Sequence, residues 1–335
     1  MKSKKFLALL LIVTLLLGIA LLAACQKDEE GYVLVVPDGA PALSIACLSD
    51  EVTTSDTVYK LNKKIVAASA IQTEASNSDL AIVPANLASI LFNGGNDVKI
   101  LAVVTNGNLF VCSSQEKSVD GIEGLVGKLV YSIGQNSVPD MIFKTLLNNK
   151  NVAFKTGEQA QDGVVTIKYF ANGSEVNARL LAANKSGEQV YGVLAEPDVQ
   201  TGISEGLYEI FNLQELWSEY NSDGYAGYAQ AVLIAKSNVC EDEKFVKKLL
   251  EEFAKNKTVL LENAELAENN IKALYPQTSL QNNLSSQVIA RCNIDTISME
   301  NGREYYENTL KAVMAINANL IGGKMPSDEF YYISK

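Results

Sequence analysis

The chain has 335 residues, 47% of them apolar and 20% charged, enough for two packed domains and too hydrophobic for pervasive disorder. A net charge of −11 excludes the basic footprint that nucleic-acid binding needs. The absence of histidine removes the commonest general base, imidazole-dependent triads and nearly every catalytic zinc site.

Lys2, Lys4 and Lys5 precede an apolar run from Phe6 to Leu22, which ends in Ala23-Ala24-Cys25. A basic start, an apolar middle and small residues at the boundary describe a secretory signal over 1–24. The run also approaches the ~20 residues of a membrane span, so an uncleaved anchor is the alternative. Losing 1–24 removes three lysines and no acids, leaving 25 basic against 39 acidic residues, a charge of −14. Such a surface keeps an exported protein soluble but does not bind anionic headgroups. Residues 25–30 then form a short tether of roughly 20 Å, at ~3.3 Å per residue.

Tyr32 to Val36 reads as a buried strand, Pro37-Asp38-Gly39 as a tight turn, and Pro41 as the opening of a helix, where its missing N–H costs nothing. Helical spacing is expected over Lys64–Ser76, with Ile65, Ala68 and Ile71 or Gln72 on one face. Leu80–Val83 is a strand, Pro84-Ala85-Asn86 opens a helix over Leu87–Phe92, and Asn93-Gly94-Gly95 stops it. Strands follow at Val98–Thr105 and Leu109–Ser113, broken by Asn106-Gly107. After a turn-rich stretch, Lys128–Ile133 leads into Gly134–Asp140, where Ser137 and Asp140 have capping-box spacing and Pro139 suits a first turn.

Val164–Phe170 is a strand, Ser174–Ala183 a helix and Val190–Ala195 a strand, followed by the turn Glu196-Pro197. Tyr208–Leu213 and Ala229–Ala235 are extended, separated by the loop Ser222–Tyr228. From Glu241 the chain is helical, with Phe245, Leu249, Phe253 and Leu260 on one face, then Leu284–Arg291 and Gly302–Asn319. Cys47, Cys112, Cys240 and Cys292 lie far apart in or beside apolar segments, which favours buried free thiols, although export would permit disulfides.

Four of the seven prolines, Pro41, Pro84, Pro139 and Pro197, stand in strand-to-helix turns. In open α/β sheets, ligands sit at such turns, beyond the carboxyl ends of the strands. If the runs 109–113 and 229–235 are crossovers, the first and last pieces form one lobe and the middle forms the other. Four such turns, two per lobe, then face one cleft.

Leu22-Ala-Ala-Cys25 resembles a bacterial lipobox, which implies acylation at Cys25. With Val36-Pro-Asp-Gly-Ala-Pro-Ala-Leu43, Val83-Pro-Ala-Asn-Leu-Ala88, Gly134-Gln-Asn-Ser-Val-Pro-Asp140, Arg291-Cys-Asn-Ile294 and Ile321-Gly-Gly-Lys-Met-Pro326, the chain resembles the extracytoplasmic substrate-binding proteins of bacterial ABC importers. The closer resemblance is to the nitrate-, sulfonate-, taurine- and thiamine-precursor-binding branch, from about Cys25 to the end. This implies the α/β type 2 periplasmic-binding-protein fold, with C-terminal helices packed on lobe I. Lobe I would span 31–108 and 232–335, and lobe II 109–231. The implied role is capture of a small molecule for an ABC permease and its ATPase, by a monomer that needs no cofactor or metal.

The expected ligand-binding residues are Gly39, Ala40 and Pro41 in lobe I, where small groups leave backbone bare. Asn86 is either a cleft donor or a helix cap. Asn136, Ser137 and Val138 would face them from lobe II, and Glu196 is a cap or a ligand acceptor. Tyr228 and Tyr225 supply stacking surface or hinge packing. Asp38, Asp140 and Glu196 offset the positive helix ends. Arg179, Arg291 and Arg303 lie far from every turn in sequence, so no clamp for an oxyanion is evident. The expected ligand is neutral, zwitterionic or heteroaromatic. An enzyme of cofactor-precursor chemistry and a ligand-sensing surface lipoprotein are the other readings.

Overall fold

A computed structural model describes residues 30–116, 119–220, 227–280 and 284–334. Cys25, the signal segment and Tyr225 lie outside the described residues. Among the described residues no helix is long and apolar enough to cross a membrane.

The first lobe is a seven-stranded sheet. It is formed by β1 (Glu30–Pro37), β2 (Glu51–Thr53), β3 (Val58–Val66), β4 (Leu80–Pro84), β5 (Val98–Asn106), β12 (Ala229–Lys236) and β13 (Ile294–Ser298), in the order β13-β5-β12-β4-β1-β3-β2. β3, β1 and β4 run parallel, while β12 is antiparallel to both β4 and β5. β4 and β12 are apolar and buried almost throughout, as strands covered on both faces must be. The helices of this lobe are α1 (Ala40–Leu43), α2 (Ile71–Asn77), α3 (Ala85–Asn93), α8 (Glu243–Glu262), α9 (Ala264–Leu274), α10 (Ser286–Arg291) and α11 (Met299–Ile316).

The second lobe holds β6 (Leu109–Ser113), β7 (Leu129–Ile133), β8 (Phe154–Thr156), β9 (Val165–Phe170), β10 (Tyr191–Ala195) and β11 (Tyr208–Asn212), ordered β11-β6-β10-β7-β9-β8. Its helices are α4 (Val138–Asn149), α5 (Gly173–Ser186), α6 (Asp198–Ser204) and α7 (Leu213–Tyr220). The strand from 164 to 170 and the helices after 138 and 174 stand within a residue or two of their expected starts.

Three expectations change. Lys64–Val66 belongs to β3 rather than to a helix, because residues 59–66 pair in register with residues 30–37 of β1. That ladder outweighs a local spacing that both structures could satisfy. The helix opened by Pro41 is a single turn. Beyond Leu43 the backbone continues through tight bonds from Ser44 to Pro41, Ile45 to Ala42 and Ala46 to Leu43. Finally, Ala229 and Ala231 already pair with Asn106 and Thr105, so the first lobe resumes before residue 232.

The chain leaves the first sheet through Gly107-Asn108 and returns ahead of Ala229. At this junction one apolar cluster runs from Val35 and Val83 through Leu109, Tyr228 and Tyr305 to Met141 and Tyr191. α11 packs against α4, so the C-terminal helix touches the second lobe as well as the first. The expected apolar face of α8 is real: Phe245, Leu249, Phe253 and Leu260 are all buried under the first sheet. Among the described residues the four cysteines are free thiols, three of them buried, and burial pushes Cys112 and Cys240 up to about 12.

Truncating Phe253 to Ala empties the centre of this helix–sheet layer. The expected loss is about 3–5 kcal/mol of unfolding free energy, read from urea denaturation of the purified chain.

Candidate functional site

The carboxyl ends of the parallel strands in both lobes open on one cavity of about 650 Å³, within the size range of small-molecule pockets. Six strand-to-helix turns line it, three from each lobe. From the first lobe come Pro37–Pro41 before and within α1, Ala67–Ser69 ahead of α2, and Pro84 ahead of α3. From the second come Ser137–Pro139 at α4, Ala171–Ser174 at α5, and Ala195–Asp198 at α6. Gln230 and Ala231 of β12 and the segment after α9, with Tyr275, Gln277 and Ser279, complete the wall.

Gly39, Ala40, Pro41, Ser137, Val138 and Glu196 thus lie on one cavity wall. Gly39 has φ +100, and a Cβ there would meet only Pro41, so glycine both permits the turn and keeps the wall bare. Ser137 does not cap α4 with its side chain. Its hydroxyl donates to the Ile133 carbonyl at 2.8 Å.

Three other expected residues stand elsewhere. Asn86 is buried in α3 and its amide donates to the Leu320 carbonyl at 3.1 Å, so it ties down the C-terminal segment. Asn136 adopts φ +64 to make the turn, and its N–H is taken by Asp140 at 2.8 Å. Tyr228 is fully buried. It packs on Trp217 with ring centroids 5.2 Å apart and donates to Gln214 at 2.7 Å, which makes it junction packing.

The turns at Ala67–Ser69 and Ala171–Ser174 carry no proline, and this hid them from the proline pattern. Small residues between an apolar strand and a polar helix start were the remaining signal. Tyr275, Gln277 and Ser279 reach the cavity only because α9 folds back on the first lobe.

The electrostatics are one-sided. Among the described residues the charged groups on the wall are Asp38, Glu196 and Asp198, and no lysine or arginine joins them. Asp38 accepts from the Thr278 hydroxyl at 2.5 Å and the Ser279 N–H at 2.9 Å, two neutral donors. Arg291 does reach a turn, against the expectation from its sequence position, because α10 lies beside the junction. Its Nε donates to Glu196 Oε1 at 2.5 Å and its Nη2 to Glu209 Oε2 at 2.6 Å, with its guanidinium 4.2 Å from the centre of the Phe110 ring. Two carboxylates of the second lobe therefore occupy it. Burial holds the Glu196 carboxyl above its usual range, although Arg291 and the Gln200 N–H pull it back.

Asp198 differs from both. It is half-buried, and among the described residues no donor bonds its carboxylate. Its Oδ2 lies so close to Gly173 that a Cβ on that residue would sit 1.9 Å away. Burial first, then Asp38 and Glu196, push it up to about 6.

No protein-family model matches the chain, and none of the curated proteins does. Solved structures do. An ABC transporter protein from Parabacteroides distasonis superposes with a TM-score of 0.70 at 16% identity, over 92% of this chain and 100% of that one. The periplasmic aliphatic sulphonate binding protein SsuA from Escherichia coli gives 0.64 at 12% identity, over 92% and 94%. The alkanesulfonate-binding protein SsuA from Xanthomonas axonopodis pv. citri, bound to MOPS, gives 0.56 at 11%, over 89% and 96%. At these identities the likeness is one of fold. The chain has the two-lobed periplasmic-binding-protein architecture.

Two outcomes follow. A carboxyl whose folded value lies near 6, above the usual ~3.9, stabilises the fold fully only below the unfolded value, and that contribution is lost as pH rises through about 6. Asp198→Asn therefore raises unfolding free energy by about 1–2 kcal/mol near pH 7.5, with the gain vanishing near pH 4. Denaturant titrations at the two pH values measure it. Arg291→Met strands the buried Glu196 and costs about 2–4 kcal/mol, most of it restored when Glu196→Gln is added in a double-mutant cycle.

Proposed function

We propose that the chain is an extracytoplasmic solute-binding protein, which captures a small organic metabolite between its lobes and presents it to an ABC permease with its ATPase. The observation that carries this reading is the shared cavity. Turns from two separate sheets build its wall, so a solute seated there touches both lobes at once. A ligand held that way favours whichever arrangement brings the lobes against it, and a permease can read that arrangement.

The role is capture rather than catalysis. The chain has no histidine to act as a general base beside the carboxylates of the wall. Export through the 1–24 signal and acylation at Cys25 would hold the monomer on the outer side of the cell membrane, where its acidic surface gives no attachment of its own.

Native mass spectrometry of the full chain in detergent is expected to find one small molecule per protein. Ala68→Trp, which adds an indole to an exposed stretch of the wall, removes that molecule without unfolding the chain. Added back at ~100 times its Kd, the solute should stabilise the wild type by roughly 2.7 kcal/mol in a thermal scan. Steady chemical turnover of the solute by the purified protein would instead favour an enzyme.

A further inference from the structure

The capture reading leaves the class of solute open, and the inference here rests on that reading. Six helix starts around a cavity would ordinarily suggest an anion. Here the chain's own acids already occupy those positions. Asp140 sits in the first turn of α4, accepts from the Asn136 N–H, and is further held by Lys144 at 2.8 Å and the Tyr169 hydroxyl at 2.7 Å. The start of α5, the longest helix on the cleft, has Asp198 lying against Gly173. Asp38 stands at the α1 turn. The three remaining helices at the wall, α2, α3 and α6, have seven, nine and seven residues, and the two of seven are too short to hold an anion by their dipole alone.

What the wall lacks is donors with charge. Arg291, which reaches the Glu196 turn, is consumed by Glu196 and Glu209. What it has in excess is acceptors. The Asp198 carboxylate is unbonded among the described residues and lies on the wall. An acceptor left unsatisfied in a partly desolvated wall is costly, and a ligand bearing N–H groups would recover that cost. A sulfonate or carboxylate would instead meet like charge.

We propose that the cleft takes a small organic cation, an amine, amidine or guanidine with several N–H donors, with Asp198 as its counter-ion. Asp38 faces the same site from the first lobe and adds to the negative field, while Glu196 is neutralised from behind by Arg291. Lowering the pH through about 6 protonates Asp198 and weakens binding.

The test begins with the molecule that co-purifies with the full chain, identified by mass. An amine or amidine that Asp198→Asn fails to retain supports the proposal. A sulfonate, nitrate or carboxylic acid overturns the class but leaves capture standing, and so does any solute that Asp198→Asn retains unchanged. If nothing co-purifies, agmatine, benzamidine and methanesulfonate are titrated separately in thermal scans of the full chain. A shift with the first two alone supports the proposal; a shift with methanesulfonate alone overturns the class; no shift with any of them overturns the class and leaves capture standing. For a bound cation, affinity should fall by at least ~30-fold in Asp198→Asn and about tenfold per pH unit below 6. Gly173→Ala, which keeps the charge but drives the carboxylate off its seat, should weaken the cation more than it changes the melting temperature. Equal affinity in all three proteins overturns it.

Discussion

Arg291 holds the relation between the two lobes. It leaves α10 in the first lobe and ends on Glu196 and Glu209 of the second, stacked on Phe110. A guanidinium fork suits this task because it satisfies two carboxylates and an aromatic face at once. The next residues continue the clasp along the crossing strand. Asn293 donates to the Gly107 carbonyl at 3.0 Å and accepts from the Asn106 N–H at 3.1 Å, while the Glu196 N–H reaches the Asn108 carbonyl at 3.1 Å. The segment Arg291–Ile294 therefore packs around the one stretch of chain where the first sheet becomes the second.

Two kinds of surface meet at this junction, and their separation explains the cavity. On one side Tyr228, Trp217 and Tyr305 join an apolar cluster shared by both lobes, and α11 leans on α4. That side is closed by packing. On the other side the strand ends stop at small residues: Gly39-Ala40, Ala67-Ala68, Ala171 and Gly173. Nothing large enough to fill the gap projects from them, so the gap persists as volume.

The charge inside that volume has a stability cost of its own. Asp38, Glu196 and Asp198 repel one another in a partly desolvated space, and among the described residues only Glu196 has a cationic partner. A fold under selection for stability alone would have no use for an ionised Asp198 there. Acids held at a cost in a cleft are a recognised mark of a site.

Local pattern was enough for much of this. The apolar runs at 80–83, 98–105 and 190–195 are strands because strands covered on both faces need continuous hydrophobicity. Pro41, Pro84, Pro139 and Pro197 flag helix starts because a helix tolerates proline only at its beginning, and all four turns reach the wall. Gly39, Ala40, Ser137, Val138 and Glu196 could be singled out from their turns alone. The remaining features depend on partners distant in the chain. β3 is a strand because β1 lies beside it, and β13 exists because β5 offers an edge. Tyr228 and Asn86 look like contact residues until the junction and residue 320 close over them. Whether Arg291 faced a ligand or a carboxylate was set by where α10 packs, about a hundred residues from Glu196 in sequence. Sequence determines which segments can turn, bury or carry charge, since those are properties of a few adjacent residues. Which charges cancel, and which are left facing an empty space, is a matter of long-range distance that only the folded chain decides.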